Sequence, residues 1–229
     1  MLERLDYVKI APRRILDAGS GPAREAAALR KRYPKAQLIA LDFSLALLPR
    51  KRWLRRTPQS ICADFTRMPI AAGAIDLVWS NMALHWSEPR AAFGEFERVL
   101  ASDGLLMFST LGPDTLKELR DAAGPERVHG FIDMHDLGDM LLGAGFSAPV
   151  MEMEMLSLSY ASGERLLQDL RLSGQTLART DRARGLAGGG FAERLRTALK
   201  SSASFELVYG HAWKAAPKAK TVSVFKRIP

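Results

Sequence analysis

Short apolar runs punctuate this chain at near-regular intervals, with amphipathic stretches between them. Residues 14–18, 37–42, 59–63, 75–80 and 105–109 are largely apolar and bounded by turn residues, the form of strands buried on both faces. Between them, 22–33 sets Ala26, Ala27 and Leu29 against the sheet, and 44 to about 53 starts from Ser44 as an N-cap. The segment 88–100 spaces Ala92, Phe93, Phe96, Val99 and Leu100 at helical intervals, and Asp103-Gly104 turns the chain into the next strand. Residues 2–11 read as the last turns of a helix through Leu2, Leu5 and Val8. Strand and helix alternate to residue 112, which predicts an α/β fold with a mostly parallel sheet and helices on both faces.

Beyond 112 the rhythm changes. Helices are expected over 115–123 and 136–142, the second stopped by Gly143-Ala144-Gly145. Residues 150–160 alternate with a period near two, as a half-exposed strand does, and 205–213 is the last clear strand. The stretch 163–200 between them is mostly helical, broken at Gly174 and Gly188-Gly189-Gly190, and predicts a lid inserted before the final strand. Met151, Met153 and Met155 on one strand face are expected to pack in the core or under that lid.

The first strand runs into Asp17-Ala18-Gly19-Ser20-Gly21-Pro22, a tight turn opening a helix, with Pro22 preset for the first helical position. A dinucleotide loop would have a third glycine where this chain has Arg24, and a phosphate loop would need Gly-Lys-Ser/Thr, which is absent. The acid ahead of the glycines repels phosphate and attracts an ammonium or sulfonium group. The loop therefore suits S-adenosylmethionine, held by Asp17, Gly19, Ser20 and Gly21. Asp42 closes the second strand roughly 20 residues on, where α/β nucleotide sites place a ribose-binding acid, with Phe43 beside it. Asp64 ends the third strand, placed for the adenine amino group with Phe65 against the ring, and Asn81 ends the fourth. As simpler readings, Asp17 bonds its own loop and Asp42 caps the next segment. Asp76 is expected to be structural.

Charge adds an asymmetry. The net charge is +8, with Lys and Arg crowded into 24–35 and 50–56 and absent from 128–164. Such a patch favours an acidic partner, whether carrier protein, nucleic acid or anionic membrane surface; a solvated helix face explains it equally. No apolar run approaches the ~20 residues of a membrane span, and the opening residues do not form a signal peptide. Cys62 is the single cysteine, which fits a reducing cytoplasm. His129, Asp133, His135 and Asp136 are metal-type residues without metal-ligand spacing, so no metal is expected.

The ordered acids, together with 79–86 (Trp-Ser-Asn-Met-Ala-Leu-His-Trp), resemble the class I S-adenosylmethionine-dependent methyltransferases. The segments 108–120 (Phe-Ser-Thr-Leu-Gly-Pro-Asp-Thr-Leu-Lys-Glu-Leu-Arg), 131–138 (Phe-Ile-Asp-Met-His-Asp-Leu-Gly) and 205–213 are similar to the malonyl-acyl-carrier-protein O-methyltransferases of biotin synthesis. The resemblance implies one Rossmann-like domain over 1–229 with a seven-stranded sheet. A shortened N-terminal helix would occupy 1–13, the cofactor-binding core 14–112, the acceptor-side half 113–213 and a basic tail 214–229. It implies methyl transfer from S-adenosylmethionine, leaving S-adenosylhomocysteine, to the malonyl carboxyl on an acidic acyl-carrier protein, in the cytoplasm, with neither membrane nor nucleic acid as partner.

That acceptor is already ionised near neutral pH, so no base is required. A cation must orient it, and Arg171 and Arg179 in the lid, with Arg182 and Arg184, are the candidates, beside Trp86 in the acceptor pocket. His85 would be a base for a phenol, amine or hydroxyl acceptor and otherwise a pocket wall. The family's Gly-Ala-x-Asn-like segment is replaced here by Ser173-Gly174-Gln175-Thr176-Leu177, and a cofactor site left open by the short N-terminal segment would be wetter and weaker. Two other readings compete: methylation of RNA or another polymer, and a cofactor-binding assembly factor similar to the complex I assembly proteins linked to arginine hydroxylation.

Overall fold

A computed structural model of the chain describes residues 1–49, 57–172, 190, 195 and 202–215. Seven strands form one sheet: β1 Arg14–Ala18, β2 Gln37–Asp42, β3 Gln59–Cys62, β4 Ile75–Asn81, β5 Leu100–Leu111, β6 Phe146–Ser159 and β7 Ser202–Lys214. Their order is β3-β2-β1-β4-β5-β7-β6. The first five are parallel, and β7 inserts antiparallel between β5 and β6. The parallel strands therefore all end at one edge, and β1 and β4 part there toward different neighbours, the place where open α/β sheets bind ligands.

Both faces are apolar because consecutive strand residues alternate sides. On β4, Leu77 and Trp79 join Leu5, Ile15, Leu29 and Met107, whereas Val78 joins Phe93, Phe96, Phe108, Leu137 and Leu141 on the other face. The second cluster lies under α2, Pro89–Val99, and α4, Met134–Gly143; the first lies under α1, Ala26–Arg32, and the 3-10 turn Leu2–Tyr7. Glu88 caps α2 by accepting the amides of Arg90 and Ala91, and Asp133 caps α4 through the His135 amide. A third cluster, Leu116, Val128, Leu166, Leu170 and Ala203, joins β7, α3 (Lys117–Ala123) and α5 (Gly163–Leu172).

Several expected elements differ. The helix expected over 22–33 starts at Ala26, so Pro22 lies in the preceding turn and not at the first helical position. Gly21 and Ala23 are both left-handed, φ +50 and +53, which no α-helix accommodates. Ala27 faces solvent. Ser44 caps no helix among the described residues: Leu45–Leu47 is a turn, and the Ser44 amide is drawn back to Asp42. Asp103-Gly104 forms an irregularity inside the long β5, with Asp103 at φ +59. Met153 and Met155 are exposed on the edge strand β6, and only Met151 packs against the core. Of the lid over 163–200, α5 is described; 173–177, Arg179, Arg182, Arg184, the 50–56 basic run and the tail beyond 215 lie outside the described residues.

Candidate active site

The turn after β1 is held shut by its own backbone. Gly19 and Ser20 both donate to the Leu41 carbonyl, at 2.8 and 3.0 Å, and Gly21 donates to Asp42 Oδ2 at 2.7 Å. The three amides that would face a phosphate are thus already satisfied, which agrees with the acid-led sequence of the loop. Gly19 has φ +75, and a Cβ there would sit 2.2 Å from the Ala83 Cβ, so the turn lies directly against the loop after β4.

Carboxylates gather around this turn. Asp17 is 2% exposed, paired in register between Ala40 and Trp79, and its Oδ2 has no hydrogen-bond partner among the described residues. Burial, then repulsion from Glu25 and Asp42, pushes its carboxyl up to about 7. Asp42 binds two loops, taking the Gly21 amide on one oxygen and the Ser44 amide, at 2.8 Å, on the other. Each oxygen keeps a second lone pair, so the simple capping role and a ribose-binding role are compatible.

Asn81 donates to Glu25 Oε1 at 3.1 Å and accepts from Ser109 Oγ at 2.6 Å, tying β4 and β5 to the glycine turn. Asp64 is exposed and holds the Thr66 amide and hydroxyl; Phe65 is buried, 5.7 Å from the Phe96 ring. Phe43 is 78% exposed. Asp76 is structural, taking the Arg13 and Arg14 amides at 2.8 Å each.

A pocket of roughly 520 Å³ opens beside the strand ends, lined by His85, Leu111, Leu116, Arg127 and Phe131 among others. A second space of about 360 Å³ shares His85, His129 and Phe131. The His85 ring lies 5.1 Å from Trp86 and 6.0 Å from Phe131, and His129 stacks on Phe131 at 5.5 Å. Neither His85 nitrogen has a partner among the described residues. Burial, then His129, lowers its pKa to about 4, so the imidazole is neutral at physiological pH. Trp86 is 44% exposed at the pocket rim.

Among the sequence candidates, Asp17, Gly19, Ser20, Gly21, Asp42 and Asn81 come together, and His85 and Trp86 share the pocket. Arg171 does not: it is exposed, while its neighbour Leu170 turns into the pocket. The sequence reading missed Glu25, hidden inside an expected helix that is really a turn, and Arg127, which no motif marks. Asp133 and His135 pair with each other at 2.8 Å, and among the described residues no group of three His, Cys, Asp or Glu is placed to hold a metal. No helix among the described residues is long and apolar enough to cross a membrane.

Comparison with known proteins gives concordant results. A family model described as a methyltransferase domain matches residues 16–108. The chain is 46% identical to the malonyl-[acyl-carrier protein] O-methyltransferase of a Methylovorus species, over 96% of this chain and 81% of that one. It is 47% identical to the enzyme of the same name from Gallionella capsiferriformans, over 95% and 82%. In structure it is similar to the Haemonchus contortus phosphoethanolamine N-methyltransferase 2, solved with phosphomonomethylethanolamine and S-adenosylhomocysteine. That likeness has a TM-score of 0.58 at 13% identity, over 94% of this chain and 52% of the other, and speaks to the fold.

Proposed function

The chain belongs to the malonyl-[acyl-carrier protein] O-methyltransferase family, and from that premise we propose that it methylates the free carboxyl of a malonyl thioester on an acyl-carrier protein, with S-adenosylmethionine as donor. The observation that carries this reading is a match at 46% identity over 96% of the chain, spanning cofactor edge and acceptor pocket alike. The RNA-methylating and assembly-factor readings are not favoured, because the relatives named for malonyl-carrier methylation align with nearly the entire chain.

The acid cluster fits a cationic nucleoside. S-adenosylmethionine supplies a methyl group on a sulfonium whose departure leaves a neutral thioether. Asp17, whose Oδ2 is buried and unpartnered among the described residues, supports binding of positive charge, with Glu25 adding to the negative field. Asp42 has lone pairs left for ribose hydroxyls, Asp64 follows the end of β3, and Asn81 ends β4. The apolar pocket beside them supports an acceptor that reaches the cofactor edge. Since a carboxylate is ionised at neutral pH, His85 need remove no proton; as a neutral imidazole it offers one N–H and a wall that fixes approach. Esterification removes a charge that is costly to bury in an apolar pocket of a chain-elongating enzyme. A single exposed cysteine is in keeping with a reducing cytoplasm.

Incubation with labelled S-adenosylmethionine and malonyl-carrier protein, or malonyl-CoA, is expected to add one methyl group by mass analysis, and Asp42→Ala to add none. Cofactor binding by the wild type with no methylated malonyl product would reject the proposal.

A further inference from the structure

We propose that Arg127, and not Arg171 of α5, grips the acceptor's carboxylate. This rests on the malonyl-methylating reading above. Arg127 is the only permanently charged side chain among the described residues lining the larger pocket. Its companions there are apolar or carry no permanent charge. Thr115 exchanges hydrogen bonds with the Glu206 backbone, at 3.1 and 3.3 Å, and His85 is neutral. A carboxylate entering such a pocket is costly unless a cation meets it, and the planar guanidinium fork meets both oxygens at once.

The loop carrying Arg127 is well anchored. Arg127 closes a 3-10 turn, Pro125–Arg127, its amide donating to the Gly124 carbonyl at 3.1 Å. Val128 follows, buried beside Leu116 and Leu166, and then His129 and Phe131 stack. Phe131 and His129 in turn touch His85 and Trp86 edge-on, at 6.0 and 6.3 Å, so the arginine loop and the His85 turn form facing walls of one pocket. The Nε of Arg127 lies 3.8 Å from Glu126 Oε1, with the two side chains 35% and 55% exposed. A pair that open and that long contributes little.

The chemistry balances without a base. The guanidinium occupies one lone pair on each carboxylate oxygen. A second lone pair on one oxygen forms the new O–C bond as the S–C bond breaks; the bonding electrons stay on sulfur, and no proton moves. The product ester has lost the charge that Arg127 gripped, so the same residue that selects the acid releases the ester.

The test measures kcat and KM with malonyl-CoA and malonyl-carrier protein for wild type, Arg127→Met, Arg127→Lys and Arg171→Met, with cofactor affinity by calorimetry. Arg127→Met is expected to raise KM at least tenfold with cofactor Kd changed less than twofold. Arg127→Lys recovers part of the loss, and Arg171→Met behaves as wild type. Inhibition by acetyl-CoA, which lacks the carboxylate, stays unchanged in Arg127→Met. A wild type that methylates malonyl thioesters beside an Arg127→Met variant with unaltered KM overturns this assignment alone. So does a loss of cofactor affinity or acetyl-CoA inhibition in both Arg127 variants, which would make the residue a prop of the fold. A wild type inactive on both acceptors overturns the underlying function instead.

Discussion

Asp17 bears the electrostatic strain of the site. Its carboxyl is displaced from the ordinary 3.8 to about 7, first by burial and then by Glu25 and Asp42. Between those pH values the folded apoprotein retains a proton that the unfolded chain has released, so stability falls as pH rises through that window. The loss reaches on the order of 4 kcal/mol above pH ~7. Asp17→Asn is therefore expected to melt several degrees higher than wild type as apoprotein at pH 8, and by a smaller margin at pH 5. The same change removes the charge that favours a cation, so cofactor binding should weaken by tenfold or more at pH 8. Wild-type affinity should tighten as pH climbs through about 7, whereas that of the variant stays flat. A level wild-type profile from pH 6 to 8 in calorimetry would take Asp17 out of charge recognition.

At the scale of elements, α2 does more than cover the sheet. Arg98 near its end donates to the carbonyls of Ile70 and Met68, at 2.8 and 3.1 Å, and pairs with Glu95, which accepts the Met68 amide. One helix thus pins the loop between β3 and β4, the loop that sets Phe65 behind the glycine turn. Removing the guanidinium leaves two part-buried carbonyls and a carboxylate without it. Arg98→Ala should cost about 1–3 kcal/mol in denaturant titration; an unchanged midpoint would mean the loop is held by packing alone. The helix itself was legible, because Phe93, Phe96 and Val99 recur at helical spacing. Its grip on the loop was not, since a backbone carbonyl 28 residues away leaves no mark in a periodicity.

At the scale of the whole molecule, the end of α1 and the chemistry occupy opposite edges of the sheet. Arg30, Lys31 and Arg32 end α1, and Lys35 precedes β2, so they cluster where the parallel strands begin, while the pocket lies where they end. A five-residue strand separates them by ~17 Å, about two screening lengths at physiological salt. This part of the basic patch is therefore badly placed to meet a carrier at the pocket. Lys31→Glu with Lys35→Glu should change KM for malonyl-carrier protein less than about twofold at 0.15 M salt; a tenfold rise would put the carrier on that edge.

The alternation of strand and helix through residue 112 and the acids near the strand ends were readable from the chain alone, because burial on both faces and a required turn are local demands that write themselves into neighbouring residues. Which polar groups then share one space was settled only by folding. Glu25 reaches Asn81 across 56 positions, and Arg127 reaches the pocket of His85 from a loop whose sequence resembles an ordinary turn. Arg171 looked equally suitable and points elsewhere, since a single helical step of about 100° separates it from Leu170 in the pocket. Local pattern can choose an element and its inward face, but proximity between distant side chains is a property of packing.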